Sequence, residues 1–227
     1  MTRPRLLDLY CGAGLAAQGY IDAGFDVTGV DIEAQPRFPG PFLRLDVLSL
    51  DQRFLRSFDA IHASPPCQAH TALRSAPGAK AHPSLIAPTR ALLRAARVPY
   101  VIENVPGAPL LDPIVLCGSM FSLGADGHQL RRHRLFEASF PMPRPTCKHS
   151  QPVIGIYGGH VRNRAAKHGG RGTADFPGAD KKGLALQAMG LTDRDLTMDE
   201  ISQGIPPAFT MWLGQQFLEH LAERAAA

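Results

Sequence analysis

DLYCGAGLAAQG, residues 8–19, joins the end of an apolar run to a Gly-x-Gly turn and the start of a helix. Glycines at such a junction let the backbone turn tightly and approach a ligand closely. The spacing is not the dinucleotide fingerprint, because Gly19 lies too far along the helix. GVDIE (29–33) comes next and sets Asp31 at the end of the second strand. A carboxylate there accepts hydrogen bonds from two ribose hydroxyls. LDV (45–47) closes a third strand with Asp46, suited to an adenine amino group. The three strand ends line one crevice, where open parallel sheets bind ligands. With no lysine or Ser/Thr-rich phosphate cradle, the expected ligand is a nucleoside cofactor without phosphates.

The flanking sequence fits this turn. Apolar runs at 5–10, 25–32, 42–47, 58–64 and 99–105 read as strands, and segments starting at Leu15 and at Ser84 read as helices. That alternation predicts an α/β fold with a doubly wound, mostly parallel sheet covered on both faces. From 137 to 183 the rhythm fails: Pro141, Pro143, Pro145 and Pro152 lead into a Gly-rich basic stretch without periodicity. We expect residues 1–136 and 184–227 to form the main domain and 137–183 a small irregular insertion. Helical patterning returns in GLALQAMG, LTMDEISQGI and the terminal PPAFTMWLGQQFLEHLAERAAA, with Pro206 and Pro207 suited to a first helical turn.

Composition narrows the class. The 227 residues are 44% hydrophobic and 19% charged, ordinary for a globular protein. No apolar run reaches the ~18 residues of a membrane span, and no signal peptide is evident, so the cytoplasm is the expected compartment. The net charge of +4 is mild. Its basic residues gather in QLRRHRLF (129–136) and HVRNRAAKHGGRG (160–172), which favours an anionic partner. The four cysteines are scattered, without a Cys-x-x-Cys pair. Cys147 and His149 offer two metal ligands, but no second pair has suitable spacing, so no metal is expected and Cys11, Cys117 and Cys147 read as packing residues.

One cysteine is different. SPPCQ (64–68) stiffens the chain with two prolines just before Cys67, as a thiolate that must meet one substrate carbon at a fixed angle requires. ENVPG (103–107) ends another strand with the acid Glu103. DLYCGAG, SPPCQ, ENVPG, RRHRLF and QGIPP, in that order, resemble the motif set of the C5-cytosine DNA methyltransferases, over roughly residues 5–136 and 184–218.

The resemblance implies a Rossmann-like fold and S-adenosylmethionine as cofactor. It would place Asp8, Tyr10, Cys11, Gly12 and Gly14 in the cofactor loop, Asp31 with Ile32 at the ribose, and Asp46 near the adenine. Pro65 and Gln203 would complete that pocket. It implies Cys67 as nucleophile, Glu103 as the acid at the cytosine N3, and Arg132 and Arg134 as the Arg-x-Arg pair, holding the thiol or a phosphate and the cytosine carbonyl respectively. Gln68, Arg131, Arg162, Arg164, Lys167 and Arg171 would face the nucleic acid. The partner implied is DNA with a flipped-out cytosine, bound by an expected monomer with no membrane contact; a partner endonuclease is unassigned.

Three departures stand out. Gln129 lies one residue too early for the family's Gln-x-Arg-x-Arg. Gln203 replaces an asparagine. The target-recognition region is very short, which predicts a short recognition sequence or weak selectivity. The rival readings are a tRNA acceptor, a carboxylated sulfonium donor, and a catalytically idle DNA-binding relative.

Overall fold

A computed structural model describes residues 2–66, 83–163, 176, 178–192 and 195–226. Two sheets form among them. The larger has seven strands: β1 (Arg5–Leu9), β2 (Asp26–Asp31), β3 (Phe42–Arg44), β4 (Ala60–Ala63), β5 (Tyr100–Asn104), β6 (Ile114–Leu116) and β9 (Arg134–Ala138). Their order is β3-β2-β1-β4-β5-β9-β6. The first five are parallel, and β9 runs antiparallel between β5 and β6. The doubly wound, mostly parallel sheet expected from the sequence is therefore present. Chain order reverses between β1 and β4, and a ligand crevice belongs at that switch point.

Two cores cover the sheet. Leu7, Leu9, Ile61 and Ile102 pack with Leu93 of α3 (Ile86–Ala96) and Leu55 of α2 (Gln52–Leu55). Leu6, Ala60, Val101 and Phe136 pack on the other face with α1 (Leu15–Asp22) and α6 (Pro207–Ala226). Gly19, superfluous as a phosphate-binding glycine, has a packing reason. A Cβ there would lie 2.0 Å from the Pro207 carbonyl oxygen, so only glycine lets α6 cross α1 this closely.

The second sheet supplies strands within the segment read as a small irregular insertion at 137–183. It is ordered β11-β10-β8-β7, from β7 (Gly124–Ala125), β8 (His128–Leu130), β10 (Val153–Tyr157) and β11 (His160–Asn163). It reaches back to Gly124, ahead of the boundary drawn at 137. VIGIY of β10 is buried at its first four positions, so it shows no polar alternation to betray a strand. β6 and β9 were also missed, being short or hidden inside the basic RRHRLF run. Two more helices, α4 (Lys181–Ala188) and α5 (Met198–Gln203), return the chain to α6. Among the described residues no helix is long and apolar enough to cross a membrane.

Candidate active site at the strand ends

The turn after β1 is held from β2. Gly12 N–H donates to Asp31 Oδ2 and Glu33 N–H to Asp31 Oδ1, each at 3.0 Å. That fixes the carboxylate while leaving lone pairs for further donors. Tyr10, Gly12 and Gly14 all take positive φ (57°, 49° and 78°), and a Cβ on Gly12 would meet open space. Gly14 is glycine for a second reason: its Cβ would strike Pro39 Cδ at 2.4 Å. Ile32, 61% exposed, stands beside Asp31 as an uncovered apolar surface. Asp46 caps the following turn by accepting from Leu48 N at 2.9 Å.

Beneath this turn lies Asp8, fully buried. Neither of its carboxylate oxygens has a hydrogen-bond partner among the described residues. Burial, with Asp31 nearby, holds its pKa well above the usual carboxylate range. A buried carboxyl without a donor is costly and requires either a proton or a cationic ligand.

The other loop residues are placed as follows. The Tyr10 hydroxyl shares a 2.8 Å hydrogen bond with Thr89 Oγ1, tying the turn to α3. Cys11 is buried, and burial followed by Asp8 and Asp31 raises its thiol pKa, so it packs rather than reacts. Gln203 is exposed at the end of α5. Its neighbour Gly204 packs on Leu15, bringing the α5–α6 junction against the first turn of α1.

On the same face, β4 and β5 carry the second half of the site. Glu103, 6% exposed, meets Arg134 Nε at 2.8 Å through Oε1. Burial raises the Glu103 pKa, and Arg134, Arg132 and a hydrogen bond from Ser64 only partly oppose it. Next along β5, Asn104 donates from Nδ2 to the Pro65 carbonyl at 2.9 Å, in buried surroundings. The Glu-Asn-Val motif thus grips the segment that leads into Cys67. Behind Ser64 a buried chain continues: Ser64 Oγ to His62 Nε2, then His62 Nδ1 to the Tyr20 hydroxyl, each at 2.8 Å. Burial lowers the His62 pKa to about 3, so the ring is neutral.

Arg132 is not where a phosphate ligand is expected. It is 7% exposed, and its two terminal nitrogens donate to the carbonyls of Ile156 and Ser202, bracing β10 against α5. Its charge still bears on Glu103.

No protein-family model and no curated protein matches the sequence. Solved structures do. A DNMT2 mutant from Spodoptera frugiperda superposes with a TM-score of 0.62 at 14% identity, over 95% of this chain and 100% of that one. A putative DNA modification methyltransferase encoded within an Escherichia coli prophage gives 0.59 at 14% identity, over 97% and 99%. The methyltransferase EhMeth of Entamoeba histolytica gives 0.60 at 12%, again over 97% and 99%. The chain has a methyltransferase fold.

Within that methyltransferase fold, Cys67, Gln68, Arg164, Lys167 and Arg171 lie outside the described residues, whereas Pro65 and Pro66 immediately before the cysteine are placed. Arg131 is exposed, and Arg162 on β11 lies 5.7 Å over the Tyr157 ring. Sequence reasoning missed Ser64, His62 and Asn104. Asn104 was readable as part of ENV; a lone strand histidine carries no such signal. It also missed the company Cys147 and His149 keep. Cys117 and His133 join them, with all four ligand atoms within 4.8 Å of one another, so the expectation that no second pair exists is corrected.

Proposed function

We propose that this chain transfers the methyl group of S-adenosylmethionine to carbon 5 of a cytosine in DNA, with Cys67 as the nucleophile. The observation that carries the reading is the buried Glu103–Arg134 pair on β5 and β9, beside Asn104, whose amide holds the carbonyl two residues before Cys67.

The crevice residues suit the cofactor. The fixed Asp31 carboxylate fits ribose hydroxyls, Ile32 offers an apolar face to a base, and the partnerless Asp8 carboxyl fits an amino-acid ammonium. Bound there, S-adenosylmethionine would supply an electrophilic methyl on a sulfonium.

Carbon 5 of cytosine is too electron-poor to take that methyl directly. In the proposed reaction the Cys67 thiolate adds to carbon 6, and the displaced electron pair moves toward ring N3, where Glu103 delivers a proton. The resulting enamine is nucleophilic at carbon 5. After transfer a base removes the carbon-5 proton, and the carbon–sulfur bond breaks to release the thiolate. The raised Glu103 pKa keeps a proton available nearer neutrality, and Arg134 orients the carboxyl. The cytosine must leave its duplex to reach this depth, at a cost of a few kcal/mol.

Residues 137–183, with the strands that β7 and β8 add, form the proposed DNA-facing unit, in which Arg131, Arg162, Arg164, Lys167 and Arg171 neutralise phosphates. With few side chains there to read base edges, methylation of a randomised DNA library should show a short or loosely defined site. A long, strictly required site contradicts this.

The decisive experiment traps the enzyme on DNA and on RNA containing 5-fluorocytosine. A covalent adduct on DNA, absent in Cys67→Ser, supports the proposal. An adduct on RNA alone transfers the reading to an RNA acceptor, and tight binding without an adduct makes the chain an idle binder. The mass added to an ordinary cytosine identifies the group delivered.

A further inference from the structure

Three chain segments bring two thiols and two imidazoles to one point. Cys117 follows β6, His133 immediately precedes β9, and Cys147 and His149 sit in the irregular segment between β9 and β10. Cys117 Sγ lies 3.4 Å from His149 Nε2, and Cys147 Sγ 3.7 Å from His133 Nε2. The two imidazole rings meet edge to face at 5.2 Å. Both cysteines are free thiols.

We infer that these four side chains form a structural zinc site, independent of the methyl-transfer reading. In a tetrahedral Cys2His2 site, Zn–S distances of about 2.3 Å and Zn–N distances of about 2.0 Å set ligand atoms roughly 3.3–3.8 Å apart. The two S–N distances already fall in that range, and the cluster's outer limit of 4.8 Å is somewhat wider. His149 is the exposed member, on a segment without regular structure, so it is the ligand freest to close the gap.

The donor set selects the metal. Two thiolates with two imidazoles suit zinc, whereas calcium and magnesium require oxygen ligands. All four positions come from the protein, which leaves no open site for water or substrate, so the role is structural.

The surroundings support the ligands. Ser119 Oγ donates to Cys117 Sγ at 3.2 Å. Gln129, out of register with the family motif, donates from Nε2 to the Lys148 carbonyl at 3.2 Å and holds the Cys147–His149 segment against β8. Hydrogen bonds of this kind hold metal ligands in the orientation the ion needs. Binding would release the thiol and imidazolium protons, leaving two thiolates and two neutral imidazoles on the metal.

The site also bears on the catalytic candidates. His133 lies between Arg132, which braces β10 against α5, and Arg134, which meets Glu103. Holding His133 fixes the backbone from which both arginines extend.

Elemental analysis of the full chain, purified from zinc-supplemented culture without chelators, should give one zinc per chain. Replacement by cobalt should give the intense visible bands of a tetrahedral thiolate site. Because Cys117→Ser is at a buried position and risks misfolding, the working variants are Cys147→Ser and His149→Ala. Each should lower zinc affinity by more than about 100-fold, beyond the loss of a second-shell partner. Sub-stoichiometric zinc with no tetrahedral cobalt spectrum overturns the inference. So does undiminished zinc affinity in both variants, or a native Cys117–Cys147 disulfide. None of these readouts involves methylation, so failure here leaves the proposed reaction untouched, and failure of the 5-fluorocytosine trap leaves the zinc site standing.

Discussion

Glu103 and Glu137 occupy neighbouring rungs of the β5–β9 ladder, opposite Phe136 and Ile102 respectively, and face opposite sides of the sheet. Both are buried and both meet an arginine, yet their environments differ. Glu137 takes a two-pronged contact from Arg90 Nε and Nη2, each at 2.7 Å, and a third hydrogen bond from Leu111 N at 2.8 Å. Glu103 has a single contact with Arg134 and one from Ser64, and its pKa stays raised by burial. Glu137 is saturated with donors and braces the sheet, whereas Glu103, with fewer donors and a pKa raised by burial, is suited to the proton exchange of the proposed reaction.

Substitution separates the two roles. Glu103→Gln keeps the shape but cannot give up a proton to ring N3, so methyl transfer should fall about 10²–10⁴-fold in single-turnover assays while the circular dichroism spectrum is unchanged. A rate within tenfold of the parent would remove Glu103 from the chemistry. Glu137→Ala leaves the part-buried Arg90 without its carboxylate, and denaturant unfolding should report a loss of about 3 kcal/mol. The fraction that stays folded should still methylate at nearly the parent rate. If Glu137→Ala cost rate rather than stability, the contrast between the two glutamates would fail.

Asn104→Ala sharpens the comparison, because it breaks neither glutamate pair. It leaves the Pro65 carbonyl without its donor, for a stability loss of about 1–3 kcal/mol. If Asn104 aims the segment carrying Cys67, the yield of 5-fluorocytosine adduct should drop by about 100-fold as well. An unchanged adduct yield would make Asn104 a packing residue only.

The two regions were unequally legible in the sequence. The turn at 8–19, Asp31 and Glu103 were readable because each function is carried by a few neighbouring residues at a strand end. The central parallel strands β1, β4 and β5 were readable because burial on both faces makes them largely apolar runs of four or five residues. β7 and β8 are two and three residues long, too short for periodicity to register, and β10 reads as loop in the sequence because prolines and glycines crowd around it. Arg132 reads as a phosphate ligand in its basic run, and only the tertiary fold shows carbonyls from two distant segments occupying its guanidinium. Cys147 and His149 appear unaccompanied for the same reason: their partners flank β6 and β9, and no local pattern encodes a contact made between segments distant in sequence.

The smallest effect concerns His62, which lies behind Glu103 and reaches it through Ser64. Burial lowers its folded pKa to about 3, below the ordinary imidazole value of about 6.5, so the folded state disfavours the charged ring. The stability tied to the neutral ring is therefore fully present above pH 6.5 and is lost as the pH falls toward 3, at roughly 1.4 kcal/mol per pH unit for one proton. Asp8 and Glu103 act in the opposite sense. Their raised pKa values favour the folded state below the usual carboxylate range, and that contribution disappears as the pH rises through their folded values. A total unfolding curve mixes the two, so the informative quantity is the difference between the parent and His62→Gln measured at each pH. Between pH 6.5 and 5, where the histidine dominates, the parent should lose stability with acid faster than the variant by about that slope. Parallel curves would mean that the ring takes up its proton without cost, and the buried Ser64–His62–Tyr20 chain would then have to open to water in the native state.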